Sequence, residues 1–199
     1  PSRGRAAVAE ALALATRVHV CTEFMAAQAK AHGVSPVVIP LTTVRGPGTS
    51  GTRFPDPGSR TLRLLQVASL SRVKNQKLLI DALPIVRRSV DAHVDLVGED
   101  TLGGALQHHA AQLGMADHVT FHGFVPQNGL DRFYGSADIY VQTSLHEAAG
   151  VSVLEAAAAM QLKVVKQWRM PESHEELGMQ VKAIAGQCRL VGRGTGPAP

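Results

Sequence analysis

Ser144-Leu145-His146-Glu147-Ala148-Ala149-Gly150-Val151-Ser152-Val153-Leu154-Glu155 reads as a loop that turns into a helix at its glycine. Two glutamates, Glu147 and Glu155, stand eight positions apart, one before the joint and the other about a turn beyond it. Val151, Val153, Leu154, Ala156 and Ala157 make the helix small and apolar. The free backbone N–H groups of a helix N-terminus, with the positive end of the helix dipole, bind phosphate oxygens. Carboxylates on both sides of such a seat suit a ligand with hydroxyls at either end of a diphosphate. A nucleotide-sugar has that form.

Outward from this stretch, strand and helix patterns alternate. Strands are expected at 62–68, 93–97, 118–121, 138–141 and 162–165, and helices at 75–89, 102–113, 127–135 and 151–160. Asn75 is placed to cap the first helix; Leu78, Leu79, Ala82, Leu83 and Val86 form its apolar stripe, and Pro84 should kink or shorten it. Alternating β and α units imply a Rossmann-like, doubly wound parallel sheet with helices on both faces. Ligands of such sheets bind beyond the carboxyl ends of the strands. The loops at 69–74, 98–101, 122–126 and 143–150 should therefore line one cleft. Upstream, a helix over 5–15, a strand at 18–21, a helix from the cap Thr22 to Lys30 and a strand over 36–40 make a smaller α/β piece. Gly46, Pro47, Gly48, Gly51, Pro55, Pro57 and Gly58 mark a linker between the two.

The chain resembles the retaining glycosyltransferases of family 4, whose GT-B architecture joins two Rossmann-like domains. The stretch 144–155 resembles that family's signature. Leu64-Leu65-Gln66-Val67-Ala68-Ser69-Leu70-Ser71-Arg72-Val73-Lys74-Asn75-Gln76 resembles the first strand and loop of its donor domain. Val94-Asp95-Leu96-Val97-Gly98-Glu99-Asp100 and Val119-Thr120-Phe121-His122-Gly123-Phe124-Val125-Pro126 resemble its second and third strands. Four motifs in register are far more specific than one. The resemblance implies a remnant of the acceptor domain over 1–44, the linker over 45–61, a donor-binding domain over 62–166 and an atypical tail over 167–199, the family pattern being lost after Met160. This is the C-terminal half of a GT-B fold, incomplete at both ends, and the chain reads as a piece of a longer protein.

The site residues follow from the same resemblance. Glu147 matches the signature glutamate that supports the donor sugar at its reacting end. Glu155 matches the one that takes the ribose hydroxyls, although a glutamate early in a helix also simply complements the dipole. Gly150, with the N–H groups of Val151 and Ser152, meets the distal phosphate. Lys74 matches the diphosphate lysine. Where the family often has an arginine the chain has Ser69, so Arg72 in the same loop is the candidate second cation. Gly123, Phe124 and Val125 match the loop that holds the base through backbone groups. For Arg72 a solvated loop cation is an equal alternative, and Glu99 and Asp100 read as solvated acids at a turn.

Composition bounds the partners. The 199 residues are 45% hydrophobic and 18% charged, a globular balance, and carry a net charge of +4. Aromatic residues at 4% are too sparse for the stacking platforms of single-stranded nucleic acid, and the cations form no block, so no nucleic acid is expected. Cys21 and Cys188 fit no C-x-x-C pair and point to a reduced, cytoplasmic setting. No apolar run is long enough to span a membrane; the basic balance is compatible with peripheral contact at its inner face, with a solvated surface the commoner alternative. The nine histidines show no ligand spacing, so no metal or other cofactor is expected. The expected partners are the nucleotide-sugar donor and a saccharide or lipid-linked acceptor, for transfer of a hexose, with the chain inactive on its own. Two alternatives stand beside it: a non-catalytic nucleotide-sugar-binding module or remnant, and a sugar-nucleotide epimerase of the same architecture.

Overall fold

The computed structural model describes residues 3–41, 61–147, 150–159, 164–165 and 173–191. Backbone contacts divide the chain into two compact units, Pro1–Val44 with Glu147–Val151, and Arg45–His146 with Ser152–Pro199. The expected linker, apart from Thr61, lies outside the described residues.

In the first unit, Arg3–Leu14 forms α1, His19–Val20 β1, Glu23–Ala31 α2 and Val37–Val38 β2. The two strands pair in parallel, His19 beside Val37 and Val20 beside Val38. Thr22 caps α2: its hydroxyl accepts the Met25 N–H at 3.2 Å and satisfies a donor that the first helical turn leaves open. Val20, Ala26 and Ala29 make its small core.

In the second unit, Leu62–Val67 forms β3, Ala92–Val97 β4, Val119–Phe121 β5, Ile139–Val141 β6 and Val164–Val165 β7. They lie in the order β5-β4-β3-β6-β7, every pairing parallel. The helices are α3 (Gln76–Arg87), α4 (Ala105–Gln112), α5 (Asp131–Ser136), α6 (Val151–Ala159) and α7 (His174–Val191). Side chains alternate across a strand, so β3, β4 and β6 each feed two cores. Leu64, Val94, Leu96 and Ile139 pack with Leu79, Ile80 and Leu83 of α3, Leu106 of α4, and Leu177 and Val181 of α7. Leu65, Val97 and Tyr140 point the other way, onto Phe133 and Tyr134 of α5 and Val153 and Ala156 of α6. The sheet is thus covered on both faces, as parallel sheets require.

Several local expectations are corrected. Asn75 precedes α3 but does not cap it with its side chain: it sits in the left-handed region at φ +51°, where the carbonyl of Ser71 accepts the N–H of both Lys74 and Asn75. Asparagine tolerates that conformation better than most residues. Pro84 lies inside α3, which runs on to Arg87, two residues short of the expected end; Ile80, Ala82, Leu83 and Val86 around it are wholly buried. Helix α4 starts at Ala105 rather than 102, because Gly103 and Gly104 take φ values of +60° and +85°. The expected helix over 127–135 is a 3-10 turn at Gln127–Gly129 followed by α5. Within the segment 167–199, read as an atypical tail, α7 is a regular helix. Leu177 and Val181, at 2% and 0% exposure, bury against the same core as α3. Four-residue apolar spacing outweighed a composition that looked like an end.

Candidate functional site

The carboxyl ends of β3, β4, β5 and β6 each run into a loop, and backbone bonds tie these loops into one rim. Leu70 N–H donates to the Glu99 carbonyl at 2.8 Å, and the Leu70 carbonyl accepts from Thr101 N–H at 3.2 Å and Thr101 Oγ1 at 2.7 Å. Gly98 N–H donates to the Gly123 carbonyl at 2.8 Å, and Leu145 N–H to the Val73 carbonyl at 2.8 Å. Four segments separate in sequence therefore hold one another in register.

Buried amides fix the first of these loops from beneath. Gln66, 1% exposed on β3, donates to the Lys74 carbonyl at 3.2 Å and to Thr143 Oγ1 at 3.0 Å. Thr143, wholly buried past β6, donates to the same carbonyl at 2.9 Å. Gln76, 1% exposed, donates to the Ser69 carbonyl at 2.9 Å and accepts the Ser71 N–H at 3.3 Å. Buried amides satisfied this fully act as struts. They set the backbone at both ends of Ser69–Lys74, the segment that carries the expected diphosphate contacts.

Ser69 and Arg72 are exposed and Lys74 is half-buried. Arg72 borders a hollow of about 520 Å³ between α3 and α4, lined also by Lys77, Leu102, Leu106 and His109. Asp81 sits beside that hollow, 2.7 Å from Lys77 Nζ and 2.5 Å from His109 Nε2. Burial pushes its carboxyl up, but the hydrogen bonds from Lys77 and His109 outweigh it and leave the group below its ordinary value. Asp100 is no solvated acid. Its carboxylate accepts from Leu102 N–H at 2.8 Å, Gly104 N–H at 2.9 Å and Gln107 Nε2 at 3.2 Å, and the Leu102 and Gly104 bonds lead in lowering its pKa. It closes the turn into α4.

Gly123, Phe124 and Val125 form the loop after β5. Gly123 takes φ +67°, and Phe124 stands 75% exposed. Glu155 lies on the second turn of α6 and is 6% exposed, a carboxylate turned inward rather than a solvated complement to the dipole. Its Oε2 accepts the Tyr134 hydroxyl at 2.9 Å and its Oε1 the side-chain amide of Gln127. The Ser152 hydroxyl accepts from Tyr140 Oη at 2.8 Å. Glu147 is exposed, Gly150 is buried at φ +60°, and Val151 opens α6; these three group with the first unit.

Gln66, Gln76, Gln127, Tyr134 and Thr143 were not singled out from the sequence. Polar residues within apolar strands and helices, as in Leu62–Val67, were the available signal. On β4, Asp95 is another: 4% exposed, it bonds Arg63 Nη2 and His122 Nε2, each at 2.7 Å. Among the described residues no cluster of three or more His, Cys, Asp or Glu is arranged to hold a metal. No described helix is long and apolar enough to cross a membrane.

Comparison with known proteins agrees with this fold. The chain is similar to a GDP-mannose-dependent alpha-(1-6)-phosphatidylinositol monomannoside mannosyltransferase of Mycobacterium tuberculosis, at 37% identity over 133 residues, 57% of this chain and 34% of that protein. It is 31% identical over 105 residues to the mannosylfructose-phosphate synthase of Agrobacterium fabrum, covering 48% of this chain and 23% of that one. It thus spans about a third or less of the length of these relatives. Its fold matches HepE of Anabaena, solved in complex with UDP and glucose, with a TM-score of 0.70 at 18% identity over 94% of this chain and 61% of that one. It also matches WaaG, a glycosyltransferase involved in lipopolysaccharide biosynthesis, with a TM-score of 0.65 at 20% identity over 88% and 56% of the two chains. The sequence model of the glycosyl transferases group 1 family fits residues 56–172, more than half of the chain. A parallel sheet whose carboxyl-end loops are strutted into one rim, together with that match, makes this chain a member of the glycosyl transferases group 1 family with the GT-B type of fold.

Proposed function

We propose that the chain is the donor-binding part of a retaining glycosyltransferase that moves a hexose from a nucleoside diphosphate to a saccharide or lipid-linked acceptor without a metal ion. One observation carries the reading: the struts from Gln66 and Thr143 to the Lys74 backbone hold a cationic loop on the same rim that the Gly123–Val125 loop joins. In this reading Lys74, with Arg72 as a secondary cation, meets the diphosphate. Negative charge grows on that diphosphate as the bond to the sugar carbon breaks, and a placed ammonium stabilises it. The N–H groups at Gly150, Val151 and Ser152 meet the distal phosphate. Glu155 accepts the ribose hydroxyls, and backbone groups of Gly123, Phe124 and Val125 hold the base. Glu147 supports the sugar as its carbon becomes oxocarbenium-like. The names of two relatives, one GDP-mannose-dependent and one a mannosylfructose-phosphate synthase, support a hexose donor. The phosphatidylinositol-based acceptor in the first of those names supports a lipid-linked acceptor. The chain by itself binds donor without completing transfer.

A binding panel of UDP, GDP and ADP with their common sugar conjugates, followed by thermal shift and calorimetry, tests this. One nucleotide should stabilise the chain, and Lys74→Ala should weaken that nucleotide by about tenfold or more, the loss of one charge-assisted contact. A chain that melts cooperatively yet shifts with none of them overturns the proposal. Sugar transfer by the chain alone overturns the clause on turnover. Epimerised donor among the products favours the epimerase alternative.

A further inference from the structure

Two of the groups that bond Glu155 are donors of opposite character. Tyr134 is wholly buried on α5, its ring 6.1 Å from that of Tyr140 and packed among Leu65, Val97, Phe133 and Val153. Its hydroxyl cannot swing away without opening that core, so the 2.9 Å bond to Oε2 is a fixed feature of the unit. Gln127 is exposed and sits in the 3-10 turn two residues beyond Val125, and its amide reaches Oε1 from the loop side. An ionised carboxylate offers about four lone-pair positions, so it can keep one inner donor while exchanging an outer one.

Resting on the donor reading of Glu155, we propose that Tyr134 is the positioning residue that aims the Glu155 carboxylate at the ribose, and that Gln127 is a place-holder whose amide the ribose hydroxyls displace when a nucleotide binds. The phenol fixes the rotamer of the carboxylate from the core. The amide occupies the outward oxygen while the site is empty. Because Gln127 lies two residues past the Gly123–Val125 loop, its release also frees that loop to settle on the base. Ribose recognition and base recognition are thus joined through one side chain.

The test compares GDP with 2′-deoxy-GDP and UDP with 2′-deoxy-UDP by calorimetry on the chain and three variants. In the unaltered chain the ribonucleotide should bind more tightly than its deoxy partner, and Glu155→Gln should erase that preference. Tyr134→Phe should weaken the ribonucleotide by about tenfold, in the range of a hydrogen bond to a charged group, and leave the deoxy form nearly unchanged. The ratio of the two affinities then falls toward one. General loosening of the fold would weaken both ligands together and leave the ratio intact, which would overturn the positioning role. Gln127→Ala should tighten the ribonucleotide, since the competing donor is gone; a loss as large as that of Tyr134→Phe overturns the place-holder role. A chain that binds a nucleotide but shows no ribose preference from the start sinks the role of Glu155 itself, an outcome distinct from either failure.

Discussion

A Cβ at Gly98 would lie 2.0 Å from the Ala68 carbonyl oxygen and 2.5 Å from its carbon. These are backbone atoms at the end of β3, so no side chain can move aside to make room. The close approach is what lets Gly98 N–H reach the Gly123 carbonyl and Leu70 N–H reach the Glu99 carbonyl. One absent methyl group therefore lets three of the rim loops meet. Gly98→Ala should destabilise the second unit by on the order of 1–3 kcal/mol, the cost of forced backbone strain. Urea unfolding reads this as a lower midpoint at an unchanged slope. Gly123→Ala makes a sharp comparison. Its φ of +67° is strained for alanine, yet a Cβ there would meet nothing within 4 Å, so the loss should be smaller.

At the scale of elements, α3 and α7 share a face of the sheet. Leu177 and Val181 bury beside Leu79, Leu83 and Val86, and a Cβ on Gly178 would stand 2.9 Å from a methyl of Ile85. Leu177→Ala should cost about 2–5 kcal/mol, the range for a truncated core leucine, and should lower the thermal midpoint of the whole second unit. A change confined to fraying of α7 would mean that the helix is an appendage. This contact also marks the limit of what was legible in the sequence. The strands over 62–67, 92–97 and 139–141 announced themselves through Leu, Val and Ile, and their loops through glycine and proline. Helix α7 did not, because its apolar stripe is thin and glutamates, lysine and glutamines surround it. Within the candidate site, the motif singles out Glu155 as the proposed ribose ligand. Its partners Tyr134 and Gln127, 21 and 28 positions away, were not legible, since only the packing of α5 under the sheet brings them there. The same holds for Gln66 and Thr143, 77 positions apart and joined through the Lys74 carbonyl. Periodicity reveals which face of an element is buried, but tertiary register decides which polar groups meet.

At the scale of the whole molecule, the titrating groups that folding perturbs among the described residues act in one direction. Hydrogen bonds from Thr61 and then Arg87 lower Asp91, and the backbone bonds of Leu102 and Gly104 lower Asp100. Asp81 is lowered as well, the bonds from Lys77 and His109 exceeding the upward push of burial. Burial chiefly lowers His93 from its ordinary 6.5, the pull of Asp95 notwithstanding. In each case the folded pKa lies below the unfolded one, so the unfolded chain binds more protons and stability rises with pH. The His93 contribution is fully present above about pH 6.5 and fades as the pH falls through its folded value. The three aspartates hold their contribution down to their unfolded value near 3.8 and lose it as the pH falls through their lower folded values. The thermal midpoint should therefore stay level from pH 8 to about 7, decline gently below the histidine value, and drop again under about pH 4. His93→Gln should remove the first decline and keep the second. Asp100→Asn should lower the midpoint at pH 7 and flatten part of the acid drop, because an amide no longer gains from ionisation at the turn into α4. A first decline that persists unchanged in His93→Gln would overturn the role of burial at His93.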